Sequence, residues 1–91
     1  MNMKTLRIQV TQEDIDNGKQ MNSYGCAIGL ALQRQYSEFD ASVGLLAFYL
    51  NGFPYKNTDE MVQFVRNFDT HKSLVFPTEF VVELVPVAPR T

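Results

Sequence analysis

The chain has 91 residues, 45% of them hydrophobic and 12% aromatic, with no tryptophan and a net charge of −2. That is enough apolar material for one compact core, which argues against disorder, and too short a chain for a second domain. The basic residues Lys4, Arg7, Lys19, Arg34, Lys56, Arg66, Lys72 and Arg90 are scattered singly, so the basic stripe of a nucleic-acid-binding module is missing.

A single cysteine, Cys26, excludes an internal disulfide framework and a cysteine-rich zinc site. The start MNMKTLRIQV has no apolar core of signal-peptide length. The longest apolar run, residues 44–50, is far below the ~20 residues that span a bilayer. A cytoplasmic, soluble protein without membrane contact is expected.

The first strand announces itself through Leu6, Ile8 and Val10, which alternate with Arg7 and Gln9. Thr11 and Asp14 then form a loose capping box, with Asp in place of the usual Glu or Gln. A short helical turn follows over residues 12–17, anchored by Ile15, and Asn17-Gly18 reads as a left-handed stop. Asn22 or Ser23 can cap a helix running to about Gln35. Nearly every position from Tyr24 to Leu32 is small or apolar, which predicts a mostly buried helix. Gly25 and Gly29 each cost about 1 kcal/mol relative to alanine inside a helix, so a backbone or sheet is expected to approach closely.

Residues 42–50, SVGLLAFYL, are apolar on both faces and predict one central strand. Asn51-Gly52 is a strong type I′ hairpin signal. Phe53-Pro54-Tyr55 returns as a short edge strand, because Pro54 cannot donate to a ladder. Thr58 caps a second helix whose buried stripe is Met61, Val65 and Phe68, widened by Val62 and Phe64. A polar connection over residues 69–73 leads to a last strand over residues 78–85, where Phe80, Val82 and Leu84 alternate with more exposed positions.

The expected fold is α+β. A single domain over residues 1–86, in β-α-β-β-α-β order, has a three- to four-stranded sheet covered by two helices. A flexible tail follows at residues 87–91. The order matches ferredoxin-like folds, although the strand that would be central there carries the proline. A different strand order is therefore an equal expectation.

No residue set demands catalysis, and no cofactor or metal is expected. Cys26 near a helix start and the single histidine, His71, formally permit a Cys–His pair. A cysteine in a small apolar run is more simply a core residue. The acidic run Glu13–Asp16 before Gly18 fails as a calcium loop, since Ile15 and Tyr24 would occupy ligand positions. Two surfaces remain. Asn51, Phe53, Tyr55 and Lys56 place aromatics beside a proline on an edge hairpin, which suits protein binding by strand addition, or a homodimer through the same edge. Alternatively, Ser23, Tyr24 and Gly25 at a helix start would hold an anion such as a nucleotide phosphate.

Residues 8–32, IQVTQEDIDNGKQMNSYGCAIGLAL, together with 61–84, MVQFVRNFDTHKSLVFPTEFVVEL, resemble small accessory proteins of tailed phages and prophages. Their pattern is "TQE-x-I-D-x-G", then a cysteine before an apolar helix, then "FV-x-x-FD" and a closing "P-x-x-F" strand. That family often has proline after the cysteine, where Ala27 stands here. The resemblance names no site residues. It implies a non-enzymatic interaction protein that binds and inhibits a host protein or defence complex. A nucleotide-type ligand binder and a minor virion or assembly component are the alternatives.

Overall fold

The computed structural model describes residues 5–84; the expected tail at 87–91 lies outside the described residues. The class is α+β: five strands form two antiparallel sheets, accompanied by three α-helices. In chain order these are β1 (Thr5–Val10), α1 (Gln12–Asn17), α2 (Ala27–Gln35), β2 (Ala41–Val43), β3 (Ala47–Leu50), β4 (Phe53–Lys56), α3 (Asp59–Thr70), a 3₁₀ turn (Lys72–Leu74) and β5 (Thr78–Glu83).

The expected single sheet is replaced by two. β1 pairs with β5, placing Ile8 opposite Phe80, and β2-β3-β4 forms a separate meander. A ferredoxin-like sheet would need a parallel neighbour on the other edge of β1. Side chains from the end of α2 occupy that edge instead. Gln9 N–H donates to Gln35 Oε1 at 2.7 Å, Arg34 Nη2 donates to Gln9 O at 2.8 Å, and Tyr36 Oη donates to Arg7 O at 2.7 Å. These side chains stand where a further strand would have to pair and take its hydrogen bonds at Gln9 and Arg7 O.

The expected strand over residues 42–50 is also broken. Gly44 N–H donates to Ala47 O at 2.8 Å, and the chain reverses through Leu45-Leu46 into a hairpin. Buried Asn57 fixes this tip from twelve residues on. Its Nδ2 donates to Gly44 O and Leu45 O at 2.9 and 2.8 Å, and its backbone N–H to Leu46 O at 3.0 Å. The second hairpin matches its sequence signal: Asn51 and Gly52 take φ 52° and 84°, as a type I′ turn requires.

The cap of α2 stands four residues past Asn22 and three past Ser23, the caps expected from the sequence. Cys26 is its N-cap, with Sγ accepting from Gly29 N–H at 3.4 Å. Residues 19–26 instead form a loop that ties the ends of other elements together. Gln20 Nε2 donates to Phe68 O at the end of α3, and Val43 N–H on β2 donates to Ser23 O. A Cβ on Gly29 would stand 3.2 Å from Tyr24 O, so the close approach is by this loop rather than by a sheet. Gly18 also departs from expectation. Its φ is −68°, outside the left-handed region.

The core joins both sheets. Leu6, Ile8, Ile28, Leu32, Phe48, Met61 and Phe68 are fully buried. Phe64 of α3 meets Phe80 of β5 edge-on at 5.5 Å, and Phe48 stacks on Tyr55 at 5.7 Å.

Candidate protein-binding surfaces

The four hairpin residues have different roles. Asn51 is structural: its Oδ1 accepts from Asp40 N–H and its own N–H donates to Asp40 O, both at 2.8 Å. Phe53 and Tyr55 share the face that carries Phe48 and Leu50 in the paired strand. Tyr55 packs on Phe48, while Phe53 projects past the core and is 68% exposed. Lys56 is exposed. Leu50 and Phe53 close a two-residue loop as a hydrogen-bonded pair, so Pro54 faces outward. The outer edge of β4 therefore lacks a donor at its middle, which disfavours the strand addition expected there.

The anion reading loses its donors. Tyr24 N–H and Gly25 N–H both donate to Asn22 Oδ1, at 3.0 and 2.8 Å. Ser23–Gly25 precede α2 and do not open it. A phosphate would have to displace a side chain that already satisfies both amides.

Cys26 is buried, and that burial pushes its thiol up from the ordinary value, against the hydrogen bond from Gly29. The nucleophilic form is thereby disfavoured. Among the described residues, no group of three or more His, Cys, Asp or Glu side chains could hold a metal ion. No described helix is long and apolar enough to cross a membrane.

A further surface lies between α3, the 3₁₀ turn and β5. An open groove of 430 Å³ is lined by Gln63, Phe64, Leu74, Phe76, Pro77 and Phe80, among others. Phe76 is 72% exposed and Leu74 50%. Glu60 belongs both to this groove and to a second hollow of 440 Å³, bounded by residues 56–60 and 81–83. The two form one trough along β5.

Phe76 belongs to none of the elements expected from the sequence, so this surface goes unread there. The signal was its place outside the alternation of the following strand, directly before Pro77.

The backbone of β5 supplies the other half of the site. Gln9 directs its N–H and C=O toward α2. In an antiparallel ladder such a residue belongs to a non-hydrogen-bonded pair, here with Glu79. Glu79, Val81 and Glu83 therefore direct their backbone groups away from β1. Among the described residues, no hydrogen bond outside the β1 ladder reaches these groups. One edge of the sheet is closed by α2; the other is open onto the trough. No protein-family model, curated protein or solved structure matches the chain.

Proposed function

We propose that this chain is a non-enzymatic interaction protein, and that it binds its partner through the trough between α3 and β5. The resemblance to phage accessory proteins makes a host-cell protein, inhibited by occlusion, the expected partner. The observation that carries the reading is the contiguity of exposed Leu74 and Phe76 with an apolar groove that also takes in Phe64 and Phe80. Single exposed apolar side chains are ordinary, whereas a contiguous set around a concavity marks a binding surface.

The test is affinity capture from bacterial lysate with three baits, read by native mass spectrometry. The wild-type chain retains a stoichiometric protein, Phe76→Ser loses it and Phe53→Ser keeps it. Loss with Phe53→Ser alone would transfer the surface to the hairpin. A bare chain in all three would overturn the reading.

A further inference from the structure

We infer that the open edge of β5 accepts a basic, extended peptide segment as a third strand of the β1–β5 sheet. This deepens the trough reading and rests on it. β5 offers the backbone groups of Glu79, Val81 and Glu83 to an incoming strand, which is how edge strands recognise extended peptides. The opposite edge is closed by Gln35, Arg34 and Tyr36, and β4 is blunted by Pro54. Among the described strand edges, β5 is the one left with alternating donors and acceptors.

Charge selects the occupant. Glu79 and Glu83 flank Val81 on the solvent face of β5, and Asp59 and Glu60 stand across the trough beside a single Lys56. Glu79 is engaged by Arg7 at 2.9 Å, but that pair is exposed on both sides and leaves carboxylate oxygens for a second cation. An incoming strand with Lys or Arg opposite Glu79 and Glu83 gains two cross-strand charge pairs. Its intervening side chains, opposite Phe80 and Val82, turn toward the apolar groove.

The same charges disfavour a second copy. The fullest antiparallel overlap of two β5 strands, centred on Val81, sets Glu79 of one copy opposite Glu83 of the other. Like charges directly opposite destabilise a pair.

The probe is the peptide acetyl-Lys-Val-Tyr-Val-Lys-amide, whose palindromic alternation serves either strand direction. Its counterpart replaces both lysines by glutamates. Binding is followed by amide shifts of the full-length protein. The basic peptide should bind about tenfold more tightly than the acidic one, from two attractive pairs against two repulsive ones. That preference should fall sharply in the Glu79→Gln/Glu83→Gln double variant, with Asp59 and Glu60 supplying what remains.

Binding should also be lost when the peptide's backbone amides are methylated, a change that leaves the protein intact. Val81→Pro should abolish it too, with the fold checked by circular dichroism. Equal affinity for the two peptides, or indifference to methylation, would overturn the inference. So would a homodimer that buries Val81. If the peptide fails while Phe76→Ser still releases the captured protein, strand addition falls and the trough reading stands. If Phe76→Ser leaves capture intact, the trough reading itself falls.

Discussion

At the scale of single residues, Asp14 joins three segments. Its Oδ2 accepts from Thr11 N–H at 2.9 Å and from Arg34 Nη2 at 2.8 Å, while its own N–H donates to Thr11 Oγ1 at 3.2 Å. Burial alone would raise its pKa. The bonds from Arg34 and Thr11 outweigh burial and hold the carboxyl below its ordinary value. The carboxylate therefore stabilises the fold fully above the unfolded value of about 3.9, and that stabilisation is lost as pH falls through the lower folded value. Urea unfolding from pH 6 down to 2.5 should show wild type losing stability below about pH 4, with Asp14→Asn flatter across that range. At pH 7 the variant should be weaker by about 1–3 kcal/mol, since it keeps one oxygen for Thr11 N–H but loses the charge that faces Arg34 and turns an amide NH₂ toward the guanidinium, which, half exposed, keeps water as a partner.

Gly18 is a second critical residue. A Cβ there would meet Phe68 Cζ at 2.8 Å and, at 2.9 Å, both Ala27 N and Asp14 O. The last two are backbone atoms and cannot swing aside. Gly18→Ala should cost about 1–3 kcal/mol, the usual range for overpacking, measured as a drop in urea midpoint at unchanged slope. The Thr11–Asp14 capping box was legible because both halves lie within four residues. The reason for Gly18 was not, because Phe68 approaches from fifty residues away.

At the scale of elements, the same distinction separates the two hairpins of the meander. Asn51-Gly52 carries its own turn chemistry and could be read directly. The Leu45-Leu46 tip carries none beyond Gly44, so SVGLLAFYL reads as one buried strand. Asn57 supplies what the local sequence lacks, by satisfying Gly44 O and Leu45 O from the far end of β4. Its Oδ1 is buried without a hydrogen-bond partner, a cost of about 1–3 kcal/mol that the tip bonds must offset. Asn57→Asp should be worse than Asn57→Ala. It removes both donors and sets negative oxygens against two carbonyls. Thermal unfolding of the two variants should rank them in that order, and exchange of the Gly44 amide, which closes the tip on Ala47 O, should accelerate in both.

At the scale of the whole molecule, the two edges of the β1–β5 sheet have opposite fates. The difference sits in side chains that look unremarkable in sequence. Gln35, Arg34 and Tyr36 end a helix, and their polarity alone suggests a solvated turn. Only the docking of α2 beside β1 turns them into an edge cap. Among the described residues, no side chain caps the outer edge of β5 in the same way, which leaves that edge open onto the trough.

Hydrogen exchange reads this asymmetry amide by amide. Phe80 and Val82 face β1 and should be protected, while Glu79, Val81 and Glu83 should exchange at least about 100-fold faster. Gln9, although on an edge, should be protected through Gln35 Oε1. In Gln35→Ala the Gln9 amide should lose that protection while Phe80 and Val82 keep theirs. Uniform protection along β5 would mean that its outer edge is already covered, and the strand-addition site would then be closed. Alternating protection would fix the orientation of β5, and with it the face on which an incoming strand must lie.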